Sequence, residues 1–264
     1  EIDDGTFNSE ETKQLVEDLF RFDYKSHFNA NSNLEELKQK LPKAKKHLAE
    51  YYDCTEEEMC LDNYIPIKET RCPYKVILGN SDFRYSNVTD LGKLQIIGED
   101  AFFAHSEVTD LGKLQIIGRD AFFAHSEVTD LGELQIIGRD AEFVPYKATY
   151  LWKLQSIGRY ADFEDSEVTN LGELQIIGDN AYFRYSEITN LGKLQNIGGS
   201  ASFWYSKIIN LGELQSIGGD ANFDFSKVTD LGNIEYIGGK IITDENNSYL
   251  KEEYERRING KSLK

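Results

Sequence analysis

Residues that cross-link a chain or span a membrane are scarce in this sequence, and each shortage excludes a class of protein. Only three cysteines occur among 264 residues, Cys54, Cys60 and Cys72, so disulfides cannot hold the rest of the chain together. An odd number leaves at least one of them unpaired within the chain. No stretch approaches the roughly 20 apolar residues that cross a bilayer, so we expect no membrane span.

Basic residues are also in deficit. The sequence has 46 acidic and 29 basic residues, a formal net charge of -17. This charge disfavours direct binding to nucleic acid or to an anionic membrane, and it favours basic or neutral partners. The hydrophobic fraction of 40% and the aromatic fraction of 12% are nevertheless sufficient for a sizeable core.

The first residues, Glu1 to Asp4, lack the basic and apolar parts of a signal peptide. The sequence does not begin with Met, which leaves room for an upstream leader. On that ground we favour a cell-surface or secreted location over a cytoplasmic one.

What the sequence has in abundance is repetition. From Ser81 to Lys240, eight 20-residue segments follow one template without insertion or deletion: A-x-F-x-x-S-x-V/I-x-D/N-L-G-x-L-Q-x-I-G-x-x. We call these segments coils 1 to 8, beginning at residues 81, 101 and so on, and number the positions in each coil from 1 to 20. A constant period of this length predicts a solenoid whose stacked coils share one core.

The invariant positions predict the core and the corners of each coil. Phe at position 3, Leu at position 11 and Ile at position 17 occur in all eight coils, and stacking should place the Phe rings in a column about 4.8 Å apart beneath a parallel sheet. Glycines at positions 12 and 18 predict tight corners, and Asp or Asn at position 10 should accept hydrogen bonds from the following amides. Ser at position 6 predicts a ladder of hydroxyl groups.

We expect three regions. Residues 1–72 have helical spacing and two capping boxes, at Ser32 to Glu35 and at Thr55 to Glu58, and predict a helical amino-terminal cap. Residues 73–240 form the solenoid. Residues 241–264 form a capping segment with a charged helix at Asn247 to Ile258.

Short stretches resemble known repeats. Ala101 to Val108 resembles the strand and turn of leucine-rich repeats, Ile117 to Phe122 resembles the I-G-x-x-A-F element of BspA-type bacterial leucine-rich repeats, and Ile217 to Asp220 is similar to the I-G-G-D turns of receptor L domains. The resemblance implies binding through an exposed strand face and carries no catalytic residues. The period is shorter than in BspA-type repeats and an Asn ladder is missing, so a curved horseshoe and a straighter right-handed β-helix both remain open.

Positions 2, 4 and 5 vary while the core positions do not, and variable residues on a rigid scaffold can determine binding specificity. Aromatic and Arg side chains are common anchors of protein interfaces. We therefore predict a partner-binding site on the outer strand face. Its candidate residues are Tyr85, Phe102, His105, Phe122, His125, Tyr182, Arg184, Tyr185, Trp204 and Tyr205. Alternatively, the terminal helix or a dimer partner covers these side chains, or they only support the sheet.

The motifs give no sign of catalysis. Ile-Gly-Gly corners recur with the structural period and match neither a P-loop nor a dinucleotide fingerprint. His105 and His125 fall at the same position in adjacent coils, but two imidazoles without a third ligand make a poor metal site. We expect no enzymatic activity, cofactor or metal.

Several functions stay open at this stage. A protein partner is our first hypothesis, a glycan is possible, and an acidic inhibitor that mimics nucleic acid is a further alternative. Coil 4, residues 141–160, departs most from the template, which either creates an aromatic subsite or a bulge, or is drift that a stable array tolerates.

Overall fold

Two parallel β-sheets run along the repeats in the computed structural model, which describes residues 45–46, 48–144 and 147–261. The described residues form a parallel β-solenoid of about nine turns, with a short 3₁₀ turn at Glu56–Glu58 and a carboxy-terminal helix, α1, at Ser248–Lys261. The capping box predicted at Ser32 to Glu35 lies outside the described residues. The one at Thr55 is confirmed, since its hydroxyl accepts from the Glu58 amide while the Glu58 carboxylate accepts from the Thr55 amide.

Sheet A has ten strands and sheet B has nine. Sheet A consists of Met59–Cys60 (β1), Val76–Ile77 (β2), Ile96–Ile97 (β4), Ile116–Ile117 (β6), Ile136–Ile137 (β8), Ser156–Ile157 (β10), Ile176–Ile177 (β12), Asn196–Ile197 (β14), Ser216–Ile217 (β16) and Tyr236–Ile237 (β18). Sheet B consists of Ser81–Asp82 (β3), Ala101–Phe102 (β5), Ala121–Phe122 (β7), Ala141–Glu142 (β9), Ala161–Asp162 (β11), Ala181–Tyr182 (β13), Ala201–Ser202 (β15), Ala221–Asn222 (β17) and Ile241–Ile242 (β19).

Each coil thus contributes one strand to each sheet, at positions 16–17 and at positions 1–2. The sequence predicts the sheet B strand, but it does not predict a strand at positions 16–17. Within the coils every strand pairs in parallel with the residue 20 positions away, as in Ala121 with Ala141 and Ile137 with Ile157. Of the two alternatives, the curved horseshoe and the β-helix, the β-helix is the one that requires a second sheet.

The phenylalanine column at position 3 is confirmed. All eight rings are fully buried, and successive ring centroids lie 5.0 to 5.6 Å apart with nearly parallel planes. The Leu residues of position 11 and the Ile residues of position 17 complete the same buried cluster. Because each ring packs on copies of itself above and below, the core is continuous from coil to coil.

The hydroxyl ladder predicted at position 6 is wrong. Among the described residues, the buried Oγ atoms of Ser106, Ser126, Ser166 and Ser206 have no hydrogen-bond partner. Position 20 provides the ladder instead: the amide of Asp120 donates to Asp100 Oδ1 (3.2 Å), the amide of Asp140 donates to Asp120 Oδ1 (3.0 Å), and the same contact recurs in later coils. These side chains satisfy backbone donors at the entry to each sheet B strand.

The predicted corners at position 10 are confirmed. The amide of Gly112 donates to Asp110 Oδ1 (2.6 Å), and the equivalent contact recurs wherever Asp or Asn occupies position 10. Gly112 has a positive φ of 57°, which costs a glycine little. Gly118 at position 18 serves another purpose, since a Cβ there would lie 2.1 Å from the carbonyl oxygen of Gly98.

Helix α1 closes the carboxy-terminal end of the core. Leu250 is fully buried, and the Tyr254 hydroxyl accepts from the Ile237 amide (2.7 Å) on the last strand of sheet A. Asn247 Nδ2 donates to the carbonyl of Phe223 (2.8 Å). The helix therefore covers backbone that a further coil would otherwise pair with.

At its amino-terminal end, the solenoid begins before the first 20-residue repeat. Strand β1 at Met59–Cys60 pairs with β2, so sheet A reaches into the segment that the sequence assigns to the amino-terminal region. Cys54, Cys60 and Cys72 lie here as free thiols. No helix in the described part of the chain is both long and apolar enough to span a membrane.

Two glycine-to-alanine substitutions should separate the steric cost of an added Cβ from the conformational cost of a left-handed backbone. Gly118→Ala places a methyl group against the Gly98 carbonyl and should lower the free energy of unfolding by more than about 3 kcal/mol. Gly112→Ala has no atom within 4 Å of its new Cβ and should lose only the backbone cost of about 1 kcal/mol. Urea denaturation measures both, and equal losses would contradict this account of the coil spacing.

Candidate functional site

The predicted site residues lie along sheet B, where each coil leaves its strand and turns. Position 2 ends the strand, position 3 points into the core, and positions 4 and 5 form the turn. Position 5 adopts a left-handed backbone, with φ between 52° and 55° at every described coil. The turn directs these side chains outward, so Tyr85 and Tyr205 are 79% and 47% exposed.

An amino-terminal aromatic cluster occupies coils 1 to 3. Tyr85, His105 and His125 stack on one another with ring centroids 5.1 and 5.2 Å apart. Beside them Phe102 stacks on Phe122 at 4.9 Å, and the Arg84 guanidinium lies over Phe102 at 4.7 Å. The structure thus brings together the first five predicted site residues, although Phe102 and Phe122 are half-buried rather than exposed.

A carboxy-terminal aromatic cluster occupies coils 6 to 8. Tyr185 stacks on Tyr205 (5.4 Å), and Tyr205 stacks on Phe225 (5.1 Å). Trp204 packs edge-on against Tyr185 and Tyr205, at 4.9 and 4.8 Å. The Arg184 guanidinium lies 5.3 Å from the Tyr182 ring centroid in the same region.

Phe225 belongs to this cluster although it is absent from the sequence-based candidates. It is 51% exposed and occupies position 5 of coil 8. Its place in the position 5 column is the signal that could have found it. Helix α1 leaves Tyr185, Tyr205 and Phe225 exposed, so the terminal helix does not cover this cluster.

Carboxylates separate the two aromatic clusters. Glu142, Asp162, Glu164 and Asp165 occupy positions 2, 4 and 5 of coils 4 and 5. Glu164 forms an ion pair with Arg184, and Asp162 accepts from the Tyr160 hydroxyl (2.7 Å). Burial, followed by the nearby carboxylates of Asp162, Asp140 and Asp120, raises the pKa of Glu142. The outer face of sheet B therefore runs from aromatic through acidic to aromatic.

Positions 5 and 12 share one backbone conformation but not one residue type. Both have φ near +55°, where side chains other than glycine are strained by roughly 1 kcal/mol or more. Position 12 is glycine in seven of eight coils, whereas position 5 is never glycine and is mostly Tyr, His or Phe. The position 5 side chains are therefore present at a conformational cost that glycine would avoid.

Sheet A has an exposed face that the sequence did not indicate. Position 16 points outward there, and Ile136 and Ile176 are exposed in the middle of the sheet while Tyr236 is 56% exposed at its end. Sequence reasoning missed this column because it predicted no strand at positions 16–17.

Proteins bind metal ions through groups of His, Cys, Asp and Glu side chains. In residues 45–46, 48–144 and 147–261, no group of three or more His, Cys, Asp or Glu side chains is placed to hold a metal ion. The stacked imidazoles of His105 and His125 instead form part of the amino-terminal aromatic cluster.

No protein-family model, no curated protein and no solved structure matches the chain. The chemistry of the exposed surfaces is therefore the basis on which a function can be assigned.

The left-handed backbone at position 5 can be tested at Tyr205. Both Tyr205→Ala and Tyr205→Gly remove the stacked ring, but glycine also removes the strain at φ 52°. We expect Tyr205→Gly to be more stable than Tyr205→Ala by about 1 kcal/mol in urea denaturation. Ser202 in strand β15 provides the control, since at an extended position the Gly variant should be the less stable one. The reverse order at Tyr205 would contradict the assigned backbone.

Glu142→Gln should stabilise the protein at neutral pH. The pKa of Glu142 is raised in the folded state, so its ionised form is disfavoured there and the folded protein loses stability as the pH rises through that pKa. The advantage of Gln should shrink as the pH falls toward about 4.3, the ordinary carboxyl value. Denaturation curves at both pH values measure the difference, with Glu107→Gln as an exposed control. An effect of Glu142→Gln that does not change with pH would contradict the assigned cause.

Proposed function

We propose that the protein is a non-enzymatic recognition module that binds a protein partner through the outer face of sheet B. We call this surface the aromatic strand face and define it as the side chains at positions 2, 4 and 5 of coils 1 to 8. The exposed stack Tyr185–Tyr205–Phe225, built at left-handed positions, is the observation that carries the proposal. Rigid, partly exposed aromatic groups on a regular scaffold are typical of interface anchors.

A protein partner suits this face better than a glycan does. A sugar binds an aromatic residue by lying flat on its ring, but stacking at 5.1 to 5.4 Å covers both faces of the middle ring and one face of each end ring. Along each stack, ring edges and the polar groups of Tyr and His therefore make up most of what a partner would meet. Edges and hydroxyl groups fit the mixed apolar and polar contacts of a protein surface.

The charge pattern speaks against a mimic of nucleic acid. Lysines interrupt the carboxylate columns at positions 7 and 13 and form ion pairs with the preceding coil: Lys147 with Glu127 (2.6 Å), Lys153 with Glu133 (2.6 Å), Lys193 with Glu173 (2.6 Å) and Lys207 with Glu187. A stripe of phosphate-like charge would need these columns to stay unpaired.

The resemblance to BspA-type leucine-rich repeats and receptor L domains also supports binding through the aromatic strand face. Those families imply binding through the strand face, and sheet B is built from the A-x-F segment that carries the resemblance. We accordingly propose that the protein binds its partner through the strand face, as leucine-rich repeats do. We also propose that its repeats are of a bacterial type.

A triple variant, Tyr185→Ala, Trp204→Ala and Tyr205→Ala, tests the proposal. The variant should fold, because these side chains lie outside the buried core, and it should lose the partner because it loses the centre of the carboxy-terminal cluster. Tyr236→Ala, which removes an exposed aromatic residue from sheet A, is the matched control and should keep the partner.

The measurement is affinity capture from extracts of the cells that make the protein, with wild type, triple variant and control as baits. Circular dichroism establishes that all three are folded. The proposal is wrong if the folded triple variant retains every protein that wild type captures.

A further inference from the structure

A second exposed aromatic group lies at the corner of coil 4, away from the aromatic strand face. Tyr150 and Trp152 occupy positions 10 and 12 on either side of the buried Leu151. They are 44% and 50% exposed, and their ring centroids lie 6.0 Å apart with planes tilted by 46°.

The corner keeps its shape despite this change of residues. Trp152 has a φ of 49°, close to that of the glycines at the same position, and the Leu154 amide donates to the Leu151 carbonyl (3.0 Å) as in the other coils. Strands β9 and β10 keep the 20-residue register with both neighbours. Coil 4 therefore contains no bulge at its strands, and the two aromatic residues occupy a normal corner.

Tyr150 and Trp152 each replace the residue type that fits its position in the corner best. At position 10 an Asp or Asn holds the amide of position 12 in the other seven coils, and Tyr150 cannot do so. At position 12 those coils have glycine, and Trp152 takes a backbone conformation that strains any larger residue. Drift would seldom place two large aromatic groups at the two positions where they cost stability, so a separate role for them is favoured.

The neighbours of Trp152 leave its ring accessible. The residues at position 12 of the adjacent coils are Gly132 and Gly172, which have no side chains to stack on the indole. In the described part of the chain its one ring contact is the tilted one with Tyr150. This distinguishes Trp152 from the stacked rings of the aromatic strand face, each of which has at least one face covered by a stacked neighbour.

Hydrogen-bonding groups occupy the same corner positions in coil 4 and its neighbours. The Tyr150 hydroxyl accepts from Asn170 Nδ2 at 3.5 Å, a long contact that a ligand hydroxyl could replace. Asp130 occupies position 10 of the preceding coil. At position 13, Glu133 and Lys153 form an ion pair at 2.6 Å.

We propose that Tyr150 and Trp152 form a binding subsite for a neutral saccharide. A half-exposed indole fits the flat C–H face of a sugar ring with equatorial hydroxyl groups, and the hydroxyl, amide and carboxylate groups at position 10 of coils 3 to 5 fit those hydroxyls. The net charge of -17 disfavours an anionic sugar. The subsite is independent of the aromatic strand face and stands whether or not that face binds a protein.

Tryptophan fluorescence tests the subsite directly. Trp152 and Trp204 are the two tryptophans of the chain, so Trp204→Phe leaves Trp152 as the sole indole reporter. Cellopentaose and chitopentaose are titrated separately to about 10 mM, where a millimolar dissociation constant gives near saturation. We expect a saturable change with at least one of the two sugars.

Trp152→Gly restores the residue found in the other seven coils, and it is the decisive variant. Its thermal midpoint should equal or exceed that of wild type, while calorimetric binding of the same sugar should fall at least about tenfold. Tyr236→Ala and the triple variant of the aromatic strand face should bind the sugar as wild type does.

Three results would overturn the proposal. The first is no saturable change with either sugar, and the second is unchanged sugar binding by Trp152→Gly. The third is a Trp152→Gly protein that melts at a lower temperature than wild type, which would assign the indole a structural role in the corner.

Discussion

The structure depends on one constraint, the hydrogen-bonded pairing of each coil with the next in a fixed register, which offsets paired residues by 20 positions. In sheet B the Ala121 amide donates to the Asp140 carbonyl (2.8 Å), and in sheet A the Gly138 amide donates to the Ile117 carbonyl (2.8 Å). Because the offset never changes, every side chain meets the residue at its own position one coil away, about 5 Å apart. A residue type is therefore compatible with a position only if its side chain can pack against the same residue, or against a suitable partner, at that position of the adjacent coils. Phenylalanine satisfies this condition by stacking, and position 18 is glycine because the neighbouring carbonyl leaves no room for a Cβ.

The same constraint explains the surface. Carboxylates repeated at one position would repel each other, and lysines relieve part of that repulsion, in alternate coils from coil 2 to coil 7 at position 13 and in coils 4, 7 and 8 at position 7. Aromatic residues at position 5 stack, so much of their face area packs within the molecule. Trp152 has only glycines at its position in the adjacent coils, so no ring at that position stacks on it, and it is half exposed. Stacked rings and a single exposed ring are chemically different surfaces, and for that reason we propose different ligands for them.

Much of the fold follows from the sequence, since a perfect period and invariant Phe, Leu and Ile define coils, core and corners. The strands at positions 16–17 do not follow, because position 16 varies among Ile, Ser, Asn and Tyr and the segment shows no alternation like that of A-x-F. The ladder at position 20 was hidden because Asn80, Asp100 and Ser200 differ in type and share only an acceptor oxygen. The variable positions predicted the residues that the structure groups into two aromatic clusters, and their role in binding stays a prediction. The half-burial of Phe102, the place of Phe225 and the raised pKa of Glu142 depend on a turn and on carboxylates from other coils, which spacing alone cannot supply.

The central claim is that the aromatic strand face is the surface that meets a partner. Amide hydrogen exchange of the protein, measured with and without a captured partner, tests it most directly because both sheets are observed in one experiment. The account predicts slower exchange on binding in peptides that contain the position 4 and 5 turns of coils 6 to 8, and unchanged exchange in the sheet A strands of the same coils. Slower exchange confined to sheet A, with no change at the turns around Tyr185, Tyr205 and Phe225, would contradict it.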